Sequence, residues 1–146
     1  MIARPGQFAV DVLKVKHVIV CGHYGCSGVR ASLRDERWGL VDNWLRHVRD
    51  VQQKHEARLT AIRDEDERWD HLCELNVIEQ VLNVCQTTVV QDSWKRGQDL
   101  AVHGWIYKVE DGLLRDLNTC IRQSDEAVAV YQAAVNQERR NIRIAT

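Results

Sequence analysis

The chain has 146 residues, 20 basic against 21 acidic side chains, a formal net charge of −1 and 45% hydrophobic content, which fits one domain with a core of ordinary size. The balanced charge, with a pI near 6.6, excludes the basic footprint of a nucleic-acid-binding surface, and the plentiful apolar residues exclude a disordered chain. The longest aliphatic-type run, Val18-Ile19-Val20-Cys21, falls far short of the roughly 20 apolar residues that span a bilayer, and Met1 to Gly6 lack the charged-then-apolar layout of a signal peptide, so a soluble, cytoplasmic protein is expected.

Phe8, Ala9, Val12 and Leu13 sit at helical spacing and predict a helix from Gln7 to Lys14. His17-Val18-Ile19-Val20-Cys21, β-branched and followed by glycine, is the strongest strand signal, and its unbroken apolar character suits a parallel strand covered on both faces. From Asp42, the residues Trp44, Leu45, Val48, Val51, His55 and Leu59 recur at three- and four-residue steps, the pattern of an amphipathic helix. The charged run Arg63 to Asp70 reads as a solvated turn, with Asp70 as the N-cap of a further helix carrying Leu72, Leu75, Ile78, Val81, Leu82 and Cys85 inward.

Thr87-Thr88-Val89-Val90 then reads as a second buried strand, followed by a short polar helix around Ser93 to Arg96. Leu100 to Tyr107 is a third strand, and Asp111-Gly112 is a hairpin signal leading into Leu113-Leu114. Ser124, with Asp125 and Glu126 behind it, caps a last helix that turns Val128, Tyr131 and Val135 inward and ends near Arg139-Arg140. Helices alternating with strands predict an α/β fold: a mostly parallel sheet flanked by helices, with one antiparallel edge.

Chemistry concentrates in Cys21-Gly22-His23-Tyr24-Gly25-Cys26-Ser27-Gly28. It follows a buried strand, and ligands of open α/β sheets bind beyond the carboxyl ends of strands. His23 and Cys26 lie three residues apart across a glycine-rich turn, and imidazole plus thiolate is a donor pair that zinc takes at about 2.0–2.1 and 2.3 Å. Spacing alone leaves two roles open: metal ligands, or a hydrogen-bonded histidine beside a packed cysteine. A zinc site also needs three protein ligands and water, or four.

Further segments resolve the ambiguity. Gln7 to Leu13, His17 to Cys26, Gly39-Leu40-Val41-Asp42-Asn43-Trp44-Leu45 and Leu72-Cys73-Glu74-Leu75-Asn76-Val77 occur in that order. Trp94-Lys95-Arg96-Gly97, His103-Gly104-Trp105-Ile106-Tyr107 and Asp111-Gly112-Leu113-Leu114 follow. Together they strongly resemble the β-class carbonic anhydrases, most of all the proteobacterial ones, firmly from residue 7 to 117 and loosely over the last helix. The resemblance implies zinc bound by His23 and Cys26, reversible hydration of carbon dioxide to bicarbonate, and assembly into homo-oligomers, dimers or tetramers. In such a site zinc lowers the pKa of a bound water from about 15.7 to about 7. The resemblance also places Tyr107 at the tyrosine of a non-catalytic inhibitory bicarbonate site, whose tryptophan and arginine partners have no counterpart here.

The family's other zinc-binding cysteine, and the aspartate–arginine dyad that orients the zinc-bound water, lie in an upstream Cys-x-Asp-x-Arg motif. No such motif occurs in the 146 residues. The expectation is therefore a partial domain (residues 1–146) truncated at its N-terminus, lacking its first central strand and N-terminal helices, with no catalytic dyad and half a zinc site. Such a chain is expected to be weakly active or inactive and prone to aggregate or to need a partner, because its remaining strands keep unpaired edges. It is either an incomplete enzyme or an interaction subunit that docks on a full-length homologue. Ser27 stands where the family has glycine; a positive φ there would cost on the order of 1 kcal/mol.

The five cysteines, at 21, 26, 73, 85 and 120, are odd in number and suggest no disulfide scaffold. Cys21 is expected to pack, Cys73 and Cys85 to lie on or beside an apolar helix stripe, and Cys120 to be core or partly exposed. His103 is expected to be hydrogen-bonded rather than liganding. Trp38, Trp44 and Trp105 are candidates for a subunit interface, where aromatic residues concentrate.

Overall fold

The computed structural model describes residues 3–141. Helix α1 (Ala3–Gln7) continues into a π-helical turn (Phe8–Val12), then come β1 (His17–His23), α2 (Ser27–Leu33), α3 (Asp42–Lys54) and α4 (Glu56–Leu59). The long α5 (Glu65–Cys85), α6 (Thr88–Lys95), the hairpin β2 (Ala101–Lys108) and β3 (Leu113–Ile121), and α7 (Ala127–Asn141) complete the described residues. Among the described residues three strands form one sheet in the order β1-β2-β3. β1 runs parallel to β2 and β3 antiparallel to it, so the expected α/β class with an antiparallel edge is present.

Alternation along β1 decides which face is covered. Val18 and Val20 pack with Val77, Val81 and Val102 of the core, whereas His17, Ile19, Cys21 and His23 are exposed. Helix α5 packs on the first face, and α7 packs on β3 and α5. The approach is close at two glycines. A Cβ on Gly22 would lie 2.4 Å from Val77 Cγ2, and one on Gly104 would lie 2.1 Å from Thr119 Oγ1. Among the described residues no helix covers the His17–Ile19–Cys21–His23 face. The expectation of a strand covered on both sides is thus corrected, and Cys21, expected to pack, is exposed.

Three further expectations change. The charged run from Arg63 is not a turn; it becomes the first turns of α5, because Asp64, not Asp70, is the N-cap and its carboxylate accepts the Glu67 N–H at 2.8 Å. Glu65, Asp66 and Glu67 then sit where the positive end of the helix dipole favours acidic side chains. Thr87 to Val90 is helical: Thr87 caps α6, and Val90 is buried with Val10 and Leu100. A four-residue apolar run has no period of its own, so packing beside α1 decided its state. In the last helix Tyr131 and Val135 face inward, but Val128 is 62% exposed. Gln123, rather than Ser124, caps the preceding short turn in a reciprocal pair with Glu126.

Helix α3 stops at His55, which is buried and turns its Nε2 onto Glu79 Oε1 at 2.7 Å. Lys54 Nζ lies 2.9 Å from the other Glu79 oxygen, and the Tyr131 hydroxyl donates to Oε1 at 2.5 Å. This cluster ties α3, α5 and α7 together. Burial alone would raise the Glu79 pKa, but the hydrogen bonds from His55, Tyr131 and Lys54 outweigh it and bring the carboxyl from 4.5 to about 2. A carboxylate depressed on folding stabilises above its unfolded pKa and loses that contribution as pH falls toward the folded value. Its contribution at neutral pH is on the order of 2–3 kcal/mol. The melting temperature should therefore drop between about pH 4.5 and 2, and Glu79→Gln should be less stable at pH 7 and shallower across that window.

Candidate metal centre

β1 ends at His23, Tyr24 and Gly25 form the turn, and Cys26 is the N-cap of α2. Gly25 has φ +70, a conformation that side chains other than glycine rarely adopt. Ser27, by contrast, sits in the first turn of α2 and is not among the positive-φ residues, so the strain expected from the missing glycine does not arise. A Cβ on Gly28 would meet Leu45 Cδ2 at 3.1 Å, a measure of how closely α2 approaches α3.

The turn is held from two elements. The Tyr24 N–H donates to the Tyr107 carbonyl at 3.0 Å, extending the β1–β2 pairing by one residue. From α5, the Trp69 indole N–H donates to the Cys26 carbonyl at 2.9 Å, and the Tyr24 hydroxyl donates to Glu74 Oε1. Burial, and then this bond to a carboxylate, push the Tyr24 hydroxyl well above its usual pKa, so it stays protonated as the donor. Reading Arg63 to Asp70 as a turn hides Trp69, although it lies three residues before Leu72 at the spacing of the same helix stripe. Tyr24→Phe, which removes a hydrogen bond to a charged group, should cost about 1.5–3 kcal/mol and show as a lower thermal midpoint; an unchanged midpoint would mean that Glu74 does not brace the turn.

His23 is exposed, with Nδ1 2.9 Å from the Tyr24 carbonyl. A carbonyl can only accept, so in the neutral ring Nδ1 carries the proton and Nε2 keeps its lone pair, the tautomer that metal-binding histidines use. Cys26 is half-buried and packs on the cluster that contains Val29 and Cys73. Cys73 is buried and its thiol is pushed up to about 12, chiefly by burial; Cys85 is raised to about 12 in the same way. Both are inert core thiols, as expected. Tyr107 is in register with His23 across β1 and β2, and the two line one shallow hollow with Cys21, Val109, Leu113 and Leu114.

The turn thus offers one imidazole and one thiol. Among the described residues no three His, Cys, Asp or Glu side chains gather into a metal-binding cluster. His23 lines the shallow hollow while Cys26 packs on the core cluster, and two donors alone do not complete a zinc site, since a catalytic zinc takes three protein ligands and a water.

The arrangement is an α/β scaffold with a His/Cys turn at the carboxyl end of a parallel strand. The carbonic anhydrase family model matches residues 5–114. The chain is 50% identical over 112 residues to a carbonic anhydrase of Emericella nidulans, an alignment taking in 77% of this chain and 49% of that protein. It is 31% identical over 120 residues to a carbonic anhydrase of Pseudomonas aeruginosa, covering 80% of this chain and 53% of that one. Among solved structures, a Coccomyxa β-carbonic anhydrase in complex with acetazolamide matches with a TM-score of 0.77 at 38% identity, over 90% of this chain and 62% of that one. A β-carbonic anhydrase of Sordaria macrospora, described as tetrameric, matches with a TM-score of 0.71 at 33% identity, over 79% and 58%. The chain belongs to the β-carbonic anhydrases. It spans about half the length of the curated relatives named.

Proposed function

We propose that this chain is a partial β-carbonic anhydrase domain, a carbonate dehydratase (zinc lyase) by family, in which His23 and Cys26 supply half of the zinc site for reversible hydration of carbon dioxide. The observation that carries this is the Gly22–Cys26 turn itself, with His23 Nδ1 engaged by the Tyr24 carbonyl and Nε2 left for a cation. With only two donors, no hydration step is assigned to this chain alone. Tyr107 shares the His23 hollow and is the residue that would contact a regulatory bicarbonate.

An exposed apolar patch supports a self-associating protein. Trp38, Leu40, Val41 and Trp44 expose apolar side chains together at the start of α3, with Leu40 86% and Trp44 67% exposed, and clustered exposed apolar residues mark interaction surfaces. A homo-oligomer, dimer or tetramer, is proposed on that basis. Among the described residues no helix is long and apolar enough to cross a membrane, which accords with the proposed cytoplasmic setting.

Equilibrium dialysis against micromolar zinc tests the half-site. Weak binding that His23→Ala and Cys26→Ser each reduce further is expected; one tightly held zinc per chain would mean that other ligands complete the site. A second possibility, an interaction subunit docking on a full-length homologue, rests on the strand order. Among the described residues β1 has β2 as its one neighbour in the sheet, and such an edge is a template for another strand. Co-expression with a full-length homologue should then give a stable mixed complex, and separate elution of the two chains would dismiss it.

A further inference from the structure

The uncovered face of the sheet brings together two histidines that the turn at residues 22–26 does not involve. His17 Nδ1 lies 3.0 Å from His103 Nε2, with the ring centroids 5.2 Å apart. The parallel register pairs His17 with Ala101 and Ile19 with His103, so the two imidazoles reach each other diagonally across β1 and β2. Both backbones are fixed by the strand pairing, His17 is exposed, and His103 is half-buried beside Trp105, ring centroids 6.0 Å apart.

We propose that His17 and His103 form a second metal site, a two-histidine clamp for a borderline divalent cation such as nickel, zinc or copper. Tetrahedral ligands at about 2.0–2.1 Å place two coordinating nitrogens about 3.3 Å apart, a few tenths of an ångström wider than the present contact. In the metal-free pair one ring donates its N–H to the other's lone pair. On binding, the cation takes the place of that bridging proton, which moves to the other nitrogen of its own ring; both rings stay neutral and both lone pairs face the ion. Imidazole nitrogen suits these metals, and because the sheet already holds the donors together, the second bond forms at high effective concentration.

Calorimetric titration of the intact chain with nickel chloride tests the clamp. His23→Gln, which removes the imidazole of the residue 22–26 turn, should retain the binding. His17→Gln and His103→Gln should each weaken it by roughly tenfold or more, the loss of a chelate's second arm. Binding unchanged by either substitution, or lost with His23→Gln alone, overturns the proposal. Should His103→Gln fail to fold, copper-loaded His23→Gln gives an independent reading: nitrogen hyperfine splitting from two imidazoles in its paramagnetic resonance spectrum supports the clamp, and splitting from one refutes it.

Discussion

Supplied with excess zinc at neutral pH, the purified chain is expected to hydrate carbon dioxide more than about 100-fold more slowly than an intact family member. The size of the effect follows from what is missing. Loss of a single outer-shell partner of a metal ligand already costs about 10–100-fold in affinity or activity. Here the deficit is larger, because no Cys-x-Asp-x-Arg segment occurs in the 146 residues and, among the described residues, no three His, Cys, Asp or Glu side chains gather into a metal-binding cluster. Zinc binding that contributes roughly 10–16 kcal/mol does so with a full ligand set. Stopped-flow hydration with a pH indicator checks this, and turnover near that of an intact relative would show that the two-donor account is wrong.

The second large effect is mechanical. Gly22→Ala is expected to destabilise the chain by about 1–3 kcal/mol, the usual cost of forcing extra volume into a packed core. The added Cβ would sit 2.4 Å from Val77 Cγ2, well inside contact distance. Because Gly22 immediately precedes His23, any shift of β1 away from α5 also moves the imidazole. For a chain of this size each kcal/mol lowers the melting temperature by roughly 3–5 °C, so a calorimetric scan resolves it. Val77→Ala removes the opposing methyls and should make the two changes non-additive, with the double variant more stable than the sum of the single losses. Strict additivity would show that the clash is relieved elsewhere.

Much of the site was legible before the fold was known. The strand ending in Gly-His-x-x-Cys and the Asp111-Gly112 hairpin carry local signals and appear where those signals place them, and the α3 and α5 stripes are helical as expected, although α3 stops at Lys54 and α5 begins earlier, at Glu65. Two misread segments share one cause. Thr87 to Val90 and Arg63 to Asp70 are short stretches whose composition outweighed their context; a capping carboxylate three residues before Glu67 and a contact with α1 reversed them. Asp64-x-x-Glu67 was a readable capping signal. Trp69 falls on the α5 stripe spacing, but that Trp69 and Glu74 brace the turn was not legible, because they reach across 43 and 50 residues of chain respectively.

Local chemistry settled that this is an α/β chain with one imidazole and one thiol at a strand end, since donor type and turn geometry are properties of a few adjacent residues. Tertiary structure alone decided that β1 covers one face and bares the other, that Cys21 lies in the open, and that His17 meets His103. Those facts depend on which strand lies beside which and in what register. Such choices are made by packing across the whole chain, where a shift of one residue would send every side chain of β1 to the opposite face.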